Sequence, residues 1–71
     1  TNEIELNDEH WINEAPNSGK KYQARYRHRG PLVECSYKDG KVVFDEPQRG
    51  IAGGQSIVVY DKNLVLGGGI I

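Results

Sequence analysis

The chain carries one cysteine, Cys35, no methionine, no long apolar run and no excess of basic over acidic residues. A single thiol excludes an internal disulfide framework and supplies no cysteine pair for zinc, which suits a reducing, cytoplasmic setting. The longest apolar stretches, such as Ile57 to Tyr60, fall far short of the roughly 18 residues that mark a membrane span, and the N-terminus has no signal-peptide pattern. A formal net charge of -1 creates no global field for nucleic acid or an acidic membrane, so a charge-driven partner must be met by a local patch. A sequence that begins at Thr1 and lacks methionine throughout reads as a fragment or a processed chain. Its 71 residues allow one domain, residues 1–71, which buries only about 60% of the surface its unfolded chain exposes. An active site with its own pocket would strain so small a core.

What is present points to strands and turns. Nine glycines and three prolines separate short runs rich in Val, Ile and Tyr, and no window sustains a helical period. Ile4 and Leu6 alternate with Glu3 and Glu5 in a strand running towards Trp11. Asn13 to Gly19 is a loop of turn formers. From Lys21 to Arg29 the period is two, with Tyr22, Ala24, Tyr26 and His28 on one face and Gln23, Arg25, Arg27 and Arg29 on the other. Leu32 to Tyr37 is the next strand. Asp39-Gly40 tolerates positive φ at both centres of a type I′ hairpin turn, which sets Tyr37 opposite Val42, Cys35 opposite Phe44 and Glu34 opposite Asp45. A connection of two or four residues at Gly30-Pro31 keeps the parity and brings Tyr26 to the same inner side. Gln55 to Tyr60, a turn at Lys62-Asn63 and Leu64 to Ile71 complete the chain, and Gly67, Gly68 and Gly69 mark a bulge, a sharp barrel corner or a close backbone approach, such as barrel closure needs. The predicted fold is all-β, a small antiparallel barrel of five or six strands. Tyr26, Val33, Cys35, Val42, Phe44, Ile57 and Val59 are among its predicted inner residues, and the apolar C-terminus is part of the sheet.

No constellation carries catalysis. His10 and His28 are eighteen positions apart without a spaced ligand set, so a core or rim role is expected and no metal site. Cys35 beside Phe44 reads as a small buried hydrophobe, not a nucleophile. Gly53-Gly54-Gln55 matches the tripeptide with which peptide-release factors hydrolyse esters, but it directly precedes an apolar strand and reads as a loop-to-strand junction. Neither glycine cluster opens a helix or ends in Gly-Lys-Ser/Thr, so no nucleotide phosphate is expected here. The feature with functional promise is the basic strand. Side chains two residues apart stand about 6.7 Å apart on one face, close to the phosphate spacing of a nucleic-acid strand. Arg25, Arg27 and Arg29, extended by Lys20 and Lys21, are therefore candidate RNA-binding residues, and guanidinium forks suit phosphate oxygens. Cross-strand pairing of Arg25 or Arg27 with Glu34 or Asp45, a contribution of about 0.2 to 1 kcal/mol, is the competing reading.

Arg25-Tyr26-Arg27, Val42-Val43-Phe44-Asp45-Glu46-Pro47-Gln48-Arg49, Ala52, Gly54-Gln55, Val58-Val59-Tyr60-Asp61 and Leu66-Gly67-Gly68-Gly69-Ile70, in this order and spacing, resemble the C-terminal domain of bacterial-type tRNA-specific 2-thiouridylases. The pattern ending at Trp11-Ile12 is similar to that domain's opening, so the likeness covers nearly the whole chain. It departs around Arg29 to Leu32. The resemblance implies a parent with an ATP-using PP-loop catalytic domain bearing two sulfur-handling cysteines, a central domain and this barrel. The implied reaction is 2-thiolation of a tRNA wobble uridine, with sulfur relayed from a carrier. None of the catalytic motifs is in this chain, and Cys35 lies in neither catalytic cysteine motif. The expected role is therefore an accessory, cytoplasmic barrel without a cofactor of its own, which helps seat tRNA against the parent's catalytic and central domains. The alternative is a purely structural packing module that never touches RNA.

Overall fold

Short β-branched and aromatic runs become strands wherever turn residues let the chain reverse. The computed structural model describes residues 2–27 and 29–71, and among them it has seven strands and no helix. They are β1 (Glu3–Glu5), β2 (Asn7–Trp11), β3 (Lys21–Arg25), β4 (Val33–Lys38), β5 (Lys41–Phe44), β6 (Ser56–Asp61) and β7 (Leu64–Ile70). All pairings are antiparallel, in the order β1-β5-β4-β3-β6-β7-β2.

The expected count of five or six strands is thus corrected to seven, and the reason lies at Leu6. β1 pairs with β5 at one end of the sheet order and β2 with β7 at the other, and only Leu6 separates them in sequence. One N-terminal stretch therefore changes neighbours and draws the sheet into a nearly closed barrel. The Leu6 amide donates to the Gly40 carbonyl at 2.8 Å. A bulge between Asn7 and His10, with Asp8 at φ 48°, re-aims the chain onto β7.

The hairpin β4-β5 has the expected register. Asp39 (φ 48°) and Gly40 (φ 75°) both take positive φ, Cys35 faces Phe44, and Tyr37 faces Val42. The Asp45 amide donates to the Glu34 carbonyl at 3.1 Å, continuing that register past the strand end. β3, however, ends at Arg25 and not at Arg29. The Gly30 amide closes a turn onto the Arg27 carbonyl at 2.9 Å, and Arg29 sits at φ 63°. The connection to β4 is longer than two or four residues, yet parity holds, because Tyr22 faces Cys35 and Ala24 faces Val33. His28 lies outside the described residues.

The core follows from alternation. β3 gives Tyr22 and Ala24, β4 Cys35 and Tyr37, β5 Val42 and Phe44, β6 Ile57 and Val59, and the N-terminal stretch Ile4 and Leu6, all buried. Of the predicted inner residues, Cys35, Val42, Phe44, Ile57 and Val59 are enclosed, whereas Tyr26 and Val33 are half-buried and pack against this core. Opposite Ile57 and Val59, β7 places Gly69 and Gly67. A Cβ on Gly67 would collide with the His10 carbonyl and come within 2.9 Å of the Trp11 ring, so the bare backbone is what lets β2 close over β7. Trp11 then meets Tyr37 edge to face, with centroids 5.4 Å apart. The C-terminus is tied in: the Ile71 amide donates to the Gln55 carbonyl at 2.8 Å and its carbonyl accepts from Gly54 at 2.7 Å.

Candidate nucleic-acid interface

The five basic residues singled out from the sequence divide into two groups. Lys20 and Lys21 are committed to carboxylates. Lys20 Nζ lies 2.8 Å from Asp61 Oδ2, and Lys21 Nζ lies 2.5 Å from Asp45 Oδ1. The hydrogen bond and charge of Asp61 raise the Lys20 ammonium above its ordinary pKa.

The arginines are held differently. On the outer face of β3, Arg25 stands over the Tyr60 ring at 5.7 Å, with a buried Nε that has no partner among the described residues. Arg27, past the strand end, stands 5.6 Å over the Tyr26 ring and donates from Nη2 to the Arg49 carbonyl at 3.0 Å. Arg29 follows in the same turn and is exposed. Glu34 and Asp45 do not take the arginines as partners: Glu34 accepts from Gln23 at 3.1 Å and Asp45 from Lys21. Among the described residues no ion pair engages Arg25, Arg27 or Arg29. Two cation–π pairs thus form where β3 passes into its loop, each leaving guanidinium edges for another acceptor.

Two loops form this end of the barrel. Tyr26 packs edge to face on Phe44 (5.9 Å) and donates through its hydroxyl to Gln48 Oε1 at 2.9 Å, while the Arg27 guanidinium lies against Gly50. The 26–32 loop is thereby pinned to the 45–55 loop, and Arg49 joins the arginine group. Sequence reasoning passed Arg49 over, although it stands in the motif that carries the family resemblance; only the pinned loops bring it near Arg27. The even 6.7 Å ladder expected from Arg25 to Arg29 does not form, because only Arg25 lies on a strand. An acidic notch lined by Glu34, Asp45 and Glu46 borders the arginine end.

The other sequence-level candidates are placed plainly. Cys35 is buried against Phe44, and burial, followed by the charges of Asp45 and Glu34, pushes its thiol up to about 12. Gln55 closes its own loop by accepting from the Ala52 amide at 2.6 Å, which fits a loop-to-strand junction. His10 is exposed on β2 opposite Gly68. Among the described residues no group of three His, Cys, Asp or Glu side chains is placed to hold a metal, and no helix is long and apolar enough to cross a membrane.

Comparison with known proteins assigns the family. A family model described as the aminomethyltransferase β-barrel domain matches residues 1–71. The chain belongs to that domain family. Its relatives in the family bear out the resemblance read from the sequence. The tRNA-specific 2-thiouridylase MnmA of Francisella philomiragia is 46% identical over 67 aligned positions, covering 86% of this chain and 19% of the relative. The tRNA-specific 2-thiouridylase MnmA 2 of Aliarcobacter butzleri is 40% identical, covering 96% and 20%. The tRNA-specific 2-thiouridylase MnmA of Shewanella pealeana is 39% identical, covering 100% and 21%. The aminomethyltransferase β-barrel domain seen here therefore spans about a fifth of the length of these relatives.

Proposed function

We propose that this barrel is the accessory C-terminal domain of a cytoplasmic, multidomain tRNA-specific 2-thiouridylase and helps seat tRNA for thiolation of the wobble uridine elsewhere in the parent. ATP and a sulfur carrier serve the parent's catalytic domain, and the barrel holds no cofactor of its own. The relatives' shared name supplies the substrate class, tRNA. The observation that carries the reading to particular residues is the arginine end: Arg25 and Arg27 rest on tyrosine rings with no ion pair among the described residues, and Arg29 follows in the same loop. Guanidinium groups so held are ordered in advance, so less conformational entropy is lost when phosphate oxygens arrive.

Each phosphate contact releases counterions, so tRNA affinity should fall with salt at a log–log slope of about 0.7 to 0.9 per contact. Replacing Arg25, Arg27 and Arg29 by alanine in the parent should lower tRNA affinity and flatten that slope while leaving ATP binding unchanged. Anisotropy titrations at several ionic strengths read both quantities. Normal affinity at every salt concentration, together with a lowered melting temperature, would decide for the competing reading of a packing module without RNA contact. That second reading draws support from the lysines, whose charges are already neutralised by Asp61 and Asp45.

A further inference from the structure

The exposed apolar side chains of the barrel are not scattered. Ile12 (68% exposed), Val65 (40%) and Ile70 (37%) line one groove of about 650 Å³ over the outer face of β6, β7 and β2, and Leu64 (64%) stands beside Val65. The floor is backbone. In the cross-strand row that runs over the sheet, Val58 of β6 and His10 of β2 flank Gly68 of β7, whose bare backbone lies so close to β6 that a Cβ would collide with the Ile57 carbonyl. Val58 in turn faces Arg25 on β3, so the groove adjoins the arginine end without including it. A domain of this size gains nothing in stability from aliphatic side chains left in water, and clustered exposure of this kind marks a surface that another surface covers.

The chemistry of the lining selects the occupant. Asp8 is its single formally charged residue, and a carboxylate repels phosphate. Unstacked bases bind on aromatic rings or guanidinium planes, whereas the large exposed side chains here are the aliphatic Ile12, Val65 and Ile70, His10 offers the single exposed ring, and the ring of Trp11 is engaged by Tyr37. The groove is built for apolar side chains of a polypeptide. Relatives about five times as long as this chain supply one in the same molecule.

We propose that this groove seats an apolar segment of the remaining parent polypeptide, fixing the barrel so that Arg25 and its neighbouring arginines lie along the junction. The inference rests on the multidomain reading of the parent but not on its RNA contacts, and the two fail separately. In the full-length parent, a benzophenone amino acid introduced at Val65, an exposed position, should cross-link on illumination to a peptide of the same polypeptide outside the barrel. Mass spectrometry of an isotopically mixed sample separates intramolecular from intermolecular products. Cross-links to bound tRNA, to a second copy, or to nothing would each overturn the proposal. Independently, Ile12→Ser with Val65→Ser should make the boundary between the barrel and the rest of the parent about tenfold more susceptible to limited proteolysis. Leu32→Ser, at an exposed apolar residue outside the groove, should leave cleavage unchanged. Equal protection in the groove variant and the parent would overturn the proposal even if the arginine variant had lost tRNA affinity. Retained docking with normal tRNA affinity in the arginine variant would reject the RNA reading alone.

Discussion

Phe44 is the largest side chain that the barrel encloses completely, and it touches both the hairpin partner Cys35 and the loop residue Tyr26. Truncation to alanine removes that packing and leaves a cavity. Phe44→Ala should therefore cost about 3 to 5 kcal/mol, a large part of the stability of a domain this small, as measured by equilibrium denaturation. An unchanged midpoint would place Phe44 outside the cooperative core. Cys35 makes a chemical forecast. With its thiol pushed up to about 12 by burial, it should resist alkylation at neutral pH in the folded protein and react at once when denatured. Tyr37, buried and donating to Glu9, is likewise pushed up to about 12. Both groups are favoured in their neutral form by folding, so their contribution is complete below their ordinary values near 9 and 10 and is lost as pH rises towards 12. Melting temperature should fall across that alkaline window, and Cys35→Ala with Tyr37→Phe should reduce the fall. Cys35 and Phe44 were legible because Asp39-Gly40 fixes parity by counting outward from one turn. The Glu9–Tyr37 contact was not, since nothing local to residue 9 says which strand it will meet.

Elements were readable where one ladder covers a whole alternating run, and misread where pattern and pairing part company. From Ile4 to Leu6 the alternation continues smoothly, so the sequence offers no sign that the chain leaves β5 and joins β7; that change belongs to barrel closure. From Lys21 to Arg29 the period of two also continues, but a period reports which face a side chain takes, and the ladder stops at Arg25 once a turn captures the Arg27 carbonyl. The glycines of β7 were read as a bulge, a corner or a close backbone approach, and the structure shows a bulge beside Gly67 and a close approach of β2. Gly67 holds φ 141° while β2 crosses against it. Gly67→Ala should combine about 1 to 3 kcal/mol of backbone strain with about 1 to 3 kcal/mol of crowding against His10 and Trp11. Thermal melts and amide exchange check this, with protection lost first along β2. Protection lost equally across all strands, with the seam no worse than the rest, would show that β7 does not govern closure.

Over the whole molecule, charge is distributed by partner more than by number. Acidic and basic residues nearly cancel, and the proposed role in seating tRNA draws on the names of the relatives and not on the net charge of -1. What the sequence could not reveal is which basic residues are already occupied. Lys20 and Lys21 lie next to Arg25 in any count of positive side chains, yet each stands against an aspartate, at 2.8 and 2.5 Å. For either ammonium to hold a phosphate it must leave its carboxylate or share it with a second anion, so the net gain on binding is small. The arginines face no such exchange among the described residues. Lys20→Ala with Lys21→Ala in the parent should accordingly change the salt slope of tRNA binding by less than one contact, about 0.7 to 0.9, whereas the three arginine replacements should remove two to three times that. Removing the carboxylates supplies the complementary arm. Asp45→Asn with Asp61→Asn frees both ammonium groups, and tRNA affinity at low salt should rise with a steeper slope. If the lysine pair flattened the slope as much as the arginines do, the phosphate path would run along β3 from Lys20, and the arginine loops would be its end and not its centre.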